Sequence, residues 1–193
     1  MKKLSLPPVG ATHTSTQFQT WYSLITKVSN YLLGIDVTKA IFIAQDGLSP
    51  ASNTATLDIR NRIDVLDFDD TTSESIFWIG YLPQGSDVSS GLKVVIHWTA
   101  TSATSGDVTW EVAFDSMKNV DIDSDSYDTA VSAHSTTNGT SGIVNTTEIS
   151  ITTIDNIASG TPYKFRVARL PANASDTMVG DAELIAVELR SLT

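Results

Sequence analysis

Two stretches of alternating side chains constrain the fold of this chain more than any other feature. The first runs from Leu92 to Trp98 and the second from Val108 to Phe114. In both, a large apolar residue occupies every second position, and mostly polar residues stand between them. Successive side chains of a strand point to opposite faces of a sheet. Each stretch therefore predicts a β-strand with one apolar face and one mostly polar face.

The linker between these two strands is short and ends at Gly106, which is typical of an antiparallel hairpin. A turn centred on Thr104 would place Trp98 opposite Trp110 on the apolar face. Same-face pairs of this kind stabilise a sheet by roughly 0.2–1 kcal/mol each. We therefore predict that residues 91–117 form a hairpin at the centre of a β-sandwich, with both tryptophans facing the core.

Further alternating segments occur along the chain, and turn residues separate them. Together they predict about eight strands, at the spacing of a sandwich or barrel. Ser75–Leu82 is apolar on both faces and should be central or covered, whereas Ala130–Ala133 would pair only at an edge. Strands do not alternate with helices, which argues against a parallel sheet. The predicted fold is mainly β: an antiparallel, jelly-roll-like β-sandwich over residues 37–193.

The first 36 residues predict a different element. Prolines and a glycine before residue 11 indicate an extended arm. Thr16, followed three residues later by Gln19, fits a capping box, and Gly34 provides a helix stop. Apolar residues at helical spacing between them predict one amphipathic helix over residues 17–33. Its wide apolar face would pack either against its own sandwich or against sister subunits.

Composition excludes several classes of partner. The net charge is −10, from 22 acidic and 12 basic residues. This sign opposes binding to nucleic-acid phosphates and to an anionic membrane surface. No stretch approaches the roughly 18–20 apolar residues of a membrane span. The chain has no cysteine, which excludes disulfides and thiolate metal sites. We therefore predict neither a nucleic-acid partner nor a membrane partner.

One loop carries carboxylates at alternating positions, as oxygen-rich calcium loops do. The candidate calcium ligands are Asp121, Asp123, Asp125 and Asp128. The match to an EF-hand is poor, because serine stands at position 126 where glycine is needed and at position 132 where glutamate is needed. The loop is therefore either a solvated acidic loop or a calcium site.

A second acidic group lies in the predicted strand Ile63–Phe68 and in the turn that ends it. It consists of Asp64, Asp67, Asp69 and Asp70. Three interpretations are open: capping of a turn by aspartate side chains, ion pairs with Arg60 and Arg62, or a metal site.

Catalytic motifs are missing from the sequence. There is no Gly-x-Ser-x-Gly elbow and no phosphate-binding glycine-rich loop. Glu111 and Asp115 share one strand face and are the candidates for a glycosidase pair. Exposed acids in such positions are, however, usually surface charges that keep the protein hydrated and have no catalytic role. His13, His97 and His134 are far apart and lack the spacing of zinc ligands. We predict no catalytic residue, no bound cofactor and no enzyme.

Six short motifs carry a resemblance to a known family. They are Asp67–Asp70, Leu82-Pro83, Leu92–Trp98, Thr104–Trp110, Arg166–Arg169 and Ser175–Met178. Through them, the chain from about Leu57 to Leu189 resembles structural proteins of tailed bacteriophages that contain a jelly-roll or related β-sandwich. The resemblance implies a virion protein of the capsid-decoration, head-fibre or tail-appendage type, often trimeric. It supplies no functional residues.

The leading hypothesis is a non-enzymatic virion protein that forms a homo-oligomer, expected to be a trimer, and contacts other virion proteins. The arm and helix, residues 1–36, would provide the attachment, and the sandwich would project outward. The alternative is a carbohydrate-binding module, in which aromatic side chains line a sugar platform. The candidates for that platform are Trp78, Trp98, Trp110 and Tyr81. Two of these tryptophans lie on the predicted core face, which favours packing over binding.

Overall fold

The alternating segments form ten β-strands in the part of the chain that this computed structural model describes, residues 38–192. The strands are β1 (Thr38–Ile43), β2 (Thr56–Arg60), β3 (Ile63–Phe68), β4 (Ser75–Tyr81), β5 (Leu92–Thr99), β6 (Asp107–Ser116), β7 (Val131–Thr136), β8 (Asn145–Ile151), β9 (Pro162–Arg169) and β10 (Ala182–Ser191). One short 3-10 helix, Ala44–Asp46, follows β1. The predicted helix over residues 17–33 and the predicted boundary at residue 36 lie outside the described residues.

The strands form two sheets, and every strand pairing within them is antiparallel. The larger sheet has the order β2-β3-β10-β5-β8, and β1 also pairs with β10. The smaller sheet has the order β4-β9-β6-β7. Apolar side chains from both sheets share one buried cluster. The prediction of a mainly β, antiparallel sandwich is therefore confirmed, with ten strands in the described residues instead of about eight.

The predicted hairpin of β5 and β6 is wrong. β5 pairs with β8 and β10 in the larger sheet, whereas β6 pairs with β7 and β9 in the smaller one. The linker therefore crosses from one layer to the other. Gly106, which looked like a hairpin residue, has φ +91°, and a Cβ there would lie 2.6 Å from the Cα of Met178. This glycine thus permits close approach to another backbone segment.

The inward direction of both apolar faces is confirmed. Trp98 and Trp110 are fully buried, and their rings meet edge to face across the core with centroids 6.1 Å apart. Phe68 also meets the Trp110 ring edge to face at 5.0 Å. The Trp98 indole N–H donates to the Thr147 hydroxyl at 3.0 Å. The tryptophans therefore bridge the two layers instead of facing each other along one hairpin.

The position of β4 also differs from its prediction. Its two apolar faces indicated a central or covered strand, but β4 is an edge strand of the smaller sheet. Its inner face is buried through Ile76 and Trp78, whereas Ile79 and Tyr81 on the other face are exposed. An isolated bridge from Leu48 covers part of its free edge. Ala130–Ala133, in contrast, lies where predicted, because β7 is the opposite edge of this sheet.

Arg169 holds one end of the sandwich together. Its guanidinium is fully buried and makes a two-pronged contact with the Asp176 carboxylate, at 2.9 and 3.2 Å. It also donates to the backbone carbonyls of Phe68, Met178 and Gly180, at 2.8–3.1 Å. All five guanidinium N–H groups therefore have acceptors. Through this residue, the end of β9 is tied to the end of β3 and to the loop before β10.

Candidate functional site

The four predicted calcium ligands do not converge in the structure. They lie in the loop between β6 and β7, where Asp121 and Asp123 are exposed. The backbone carbonyl of Asp121 accepts from the amides of Ser124 and Asp125, which closes a turn. The Asp128 carboxylate accepts from the amides of Thr129 and Asp155. These two amides hold the pKa of Asp128 below its usual value.

A different set of three carboxylates does come together: Asp115, Asp125 and Asp155. Their ligand oxygens all lie within 4.8 Å of one another. Asp115 is on β6, Asp125 is in the loop that follows β6, and Asp155 is in the loop between β8 and β9. Only Asp125 belongs to the predicted ligand set. Sequence spacing could not identify the other two, because three separate elements bring the group together.

The second acidic group of the sequence is divided between two roles, both of which were open from the sequence. Asp69 caps a turn, because its carboxylate accepts from the amides of Thr71 and Thr72 and from the Thr71 hydroxyl. These hydrogen bonds lower the pKa of Asp69 to about 2, and the bond from the Thr71 hydroxyl has the largest effect. Asp70 accepts from the amide of Gly180. Asp67 instead forms an ion pair with Arg60 at 3.0 Å.

Arg60 is shared by three acids. It contacts Asp58, Asp67 and the buried Glu183, the last at 3.1 Å. Glu183 also accepts from the amide and the hydroxyl of Thr101. Burial raises the pKa of Asp67 to about 6, while the Arg60 charge opposes the rise. This network holds β2, β3 and β10 together, and it makes stability depend on pH.

The raised pKa of Asp67 makes the free energy of unfolding depend on pH. The folded-state pKa of about 6 lies above the ordinary value of 3.8. The contribution of Asp67 to stability is therefore fully present below pH 3.8 and is lost as the pH rises through 6. The side chain is 14% exposed, so the shift needs little discount. Linkage gives a loss of about 1.4 kcal/mol between pH 5 and pH 8 from this group alone. Urea unfolding at both pH values measures it.

The matched variant for this measurement is Asp67→Asn, which cannot titrate. We expect the difference in unfolding free energy between pH 5 and pH 8 to shrink by about 1.4 kcal/mol in this variant. Burial also raises the pKa of Glu74 and of Asp181, so a smaller dependence of the same sign should remain. An unchanged pH profile in the variant would contradict the assignment to Asp67.

The outer face of the smaller sheet carries the two acids that were weighed as a glycosidase pair. Glu111 forms an ion pair with Arg166 at 2.6 Å, and Asp115 forms one with Lys164 at 2.5 Å. Both cations come from β9, next to β6 in the sheet. The Tyr127 ring lies 5.3 Å from each cation. Each acid is therefore neutralised by a neighbouring strand.

Only one of the aromatic residues considered for a sugar platform is accessible. Trp78, Trp98 and Trp110 are buried in the core, which excludes them from such a surface. Tyr81, at the end of β4, is 63% exposed. Ile79 lies on the same face of β4 and is also exposed.

The first three strands expose large apolar side chains. The exposed set is Ile41 and Ile43 on β1, Leu57 and Ile59 on β2, and Ile63 on β3. Ile59 is 61% exposed, and β2 is an edge of the larger sheet. Edge strands with apolar side chains favour pairing or packing with another chain. The strand registers place Leu57 and Ile59 on the core-facing side of the sheet and Ile41, Ile43 and Ile63 on its outer side. We call these five residues, which lie on both faces of the β1–β3 side of the sheet, the β1–β3 apolar surface.

The histidines do not form a site in the described residues. His97 is half-buried on β5 and lies 3.6 Å from Glu188, whereas His134 is exposed on β7. His13 lies outside the described range. Within residues 38–192 no helix has the length and apolar content needed to cross a membrane.

Comparison with known proteins gives no family. No model of a protein family matches the chain, and no curated protein matches it. An exo-beta-1,3-galactanase from Phanerochaete chrysosporium, solved with galactose, is similar over 79% of this chain at 10% identity and a TM-score of 0.46. The chain spans 29% of that protein.

A second solved structure is similar at the same low level. It is a family 11 carbohydrate-binding module from Clostridium thermocellum, in complex with a beta-1,3-1,4-mixed-linked tetrasaccharide. The match covers 80% of this chain and 96% of that one, at 10% identity and a TM-score of 0.44. Likenesses of this size carry no argument about what this chain does.

Proposed function

We propose that this protein is a non-enzymatic structural subunit of a tailed-phage virion, present as a homo-oligomer that is expected to be a trimer. The observation that carries the proposal is the β1–β3 apolar surface at the edge of the larger sheet. Side chains of this kind remain exposed in a monomer and become buried in an assembly. That the assembly is a tailed-phage virion is proposed from the sequence resemblance to phage structural proteins.

The chemistry of the outer sheet face also supports a structural role. The two acids best placed to act as a carboxylate pair are each held in an ion pair with a cation of β9. A general acid or base must be free to exchange a proton with a substrate, whereas each of these carboxylates is occupied by a cation. The charges of this face therefore favour a stable surface over proton transfer.

The strand order supports the finer fold assignment made from the sequence. We propose that β3 to β10 form a jelly roll. These eight strands form one sheet of order β3-β10-β5-β8 and another of order β4-β9-β6-β7. Consecutive strands mostly change sheet, which is how two Greek keys fold into a double-sheet sandwich. β1 and β2 would then be additions beside β10 and β3.

Light scattering after size exclusion tests the assembly of the full chain. We expect a molar mass of three times 20.7 kDa. Ile59→Lys should lower the mass towards one copy, because a lysine on an edge strand opposes pairing. Ile122→Lys is the matched control, because Ile122 is similarly exposed but lies outside this surface, in the β6–β7 loop. A monomer of the unaltered chain, or equal effects of both variants, would contradict the proposal.

A carbohydrate-binding module is the second candidate, and the exposure of Tyr81 favours it. The tyrosine ring offers an apolar face and a polar tip, and Ile79 on the same face of β4 pairs with Lys164 of β9. Glycan-array binding by the full chain that disappears in Tyr81→Ala, while Ile79→Ala retains it, would favour this function. Absence of glycan binding would remove it.

A further inference from the structure

Asp115, Asp125 and Asp155 form a compact group of carboxylates that neither the fold nor the proposed assembly requires. Their ligand oxygens lie within 4.8 Å of one another. Calcium binds oxygen ligands at about 2.3–2.6 Å, so two ligands of one ion lie up to about 5 Å apart. The observed spacing is therefore one that a single calcium ion would produce.

Asp115 provides a second, independent observation. Its side chain is 0% exposed, and its Oδ1 has no hydrogen-bond partner among the described residues. Lys164 reaches the other oxygen, Oδ2, at 2.5 Å, but as a close ion pair without the angles of a hydrogen bond. A buried carboxylate oxygen without a partner is costly. A cation bound between the three carboxylates would supply the missing partner.

The local charge agrees with a divalent ion. The three carboxylates and the one ammonium of Lys164 have a formal net charge of −2. The Lys164 ammonium lies on the Oδ2 side of Asp115 and over the Tyr127 ring. The ammonium therefore neutralises the charge of Asp115 through Oδ2, and the Oδ1 atom of the same carboxylate is left for a second cation.

The positions of the other two ligands are set by the backbone. Asp155 has φ +50°, and its Oδ2 accepts from the amide of Ser116 at 2.7 Å. Within residues 38–192, the exposed Asp125 carboxylate accepts from the neighbouring amide of Ser126. One oxygen of each carboxylate therefore remains to bind a cation. Binding would join the β6–β7 loop, the β8–β9 loop and the end of β6.

We propose that these three carboxylates bind one Ca²⁺ ion. Ligands that are all oxygen select calcium, magnesium or manganese over zinc and copper. Mg²⁺ demands near-ideal octahedral geometry at about 2.0–2.1 Å, whereas Ca²⁺ accepts irregular sites on loops. Water and backbone carbonyls would complete the coordination shell.

Isothermal titration calorimetry with CaCl₂ on the full, chelator-treated chain tests the proposal. We expect one site per chain with a dissociation constant of about 10⁻⁴–10⁻³ M. Asp125→Asn should weaken binding at least about tenfold, because it removes a ligand charge from an exposed loop without disturbing the core. Asp123→Asn is the matched control: it removes an equally exposed charge from the same loop, and its affinity should stay within about twofold of the unaltered chain.

Thermal unfolding provides the second measurement. We expect 5 mM CaCl₂ to raise the melting temperature of the unaltered chain and of Asp123→Asn by a few degrees, because the ion binds only the folded state. Asp125→Asn should show no such rise, and 5 mM MgCl₂ should have little effect on any of the three. Absence of calcium binding by the unaltered chain, equal behaviour of the two variants, or an equal response to Mg²⁺ would overturn the proposal.

Discussion

Replacing Trp110 with alanine should lower the free energy of unfolding by about 3–5 kcal/mol. The ring is fully buried and packs edge to face against Trp98 and Phe68. Removing it would leave a large cavity between the sheets, because a packed core relaxes only partly around lost volume. Against a typical total of about 5–15 kcal/mol the loss is severe. Urea unfolding measures it.

Conservative variants separate the packing of these rings from their hydrogen bonds. The Trp110 indole N–H has no acceptor within residues 38–192, whereas that of Trp98 donates to Thr147. Trp98→Phe should therefore be more destabilising than Trp110→Phe, by about 1 kcal/mol. A double-mutant cycle of both alanine variants should give a coupling energy of about 0.5–1.5 kcal/mol. A loss below about 1 kcal/mol for Trp110→Ala would contradict the packing of the core described above.

Arg169→Met should cost a similar amount, about 3–5 kcal/mol, for an electrostatic reason. The substitution fills much of the same space but leaves the Asp176 carboxylate, which is 2% exposed, without its counter-charge. It also leaves the carbonyls of Phe68, Met178 and Gly180 without this donor. Chemical unfolding monitored by tryptophan fluorescence measures the change.

Arg166→Met is the matched control for this variant. Arg166 lies on the same strand and also forms an ion pair, with Glu111, but its side chain is 31% exposed. Pairs of this kind contribute about 0–1 kcal/mol. Equal losses for the two variants would contradict the role of Arg169 as the link between β9, β3 and the loop before β10.

The strands were predictable because their side chains alternate with a period of two. In β8, for example, Thr147, Ile149 and Ile151 are buried and Glu148 and Ser150 are exposed, as alternation requires. The pairing of strands was not predictable in the same way. A seven-residue linker after β5 fits a hairpin or a crossing between layers, and the true neighbours of β5 are far away in the sequence. Local pattern therefore identifies the faces but not the layers.

Arg169 shows a signal that sequence reasoning can use. Alternation places Tyr163, Phe165 and Val167 on the buried face of β9, and the next position on that face is Arg169. A charged residue in an apolar register indicates a buried and paired charge. Its partner Asp176 lies in the following segment, which the sequence indicates only as a loop.

The carboxylate group was less accessible to prediction. The alternating aspartates of residues 121–128 drew attention to the correct loop, but only Asp125 faces Asp115 and Asp155. Asp115 lies on the outer face of β6, with Lys164 of β9 beside it. Asp155 lies in the β8–β9 loop, which connects the larger sheet to the smaller one. These contacts depend on the sheet order, which the local pattern does not contain.

Electron cryo-microscopy of purified phage particles that contain this chain tests the proposed role most directly. We expect density for the two-sheet sandwich in symmetric copies on the particle, with the β1–β3 apolar surface at a contact between chains. Mass spectrometry of the same preparation should detect the chain at a fixed stoichiometry. Particles of full infectivity and composition without this chain, or sandwich density with the β1–β3 surface facing solvent, would contradict it.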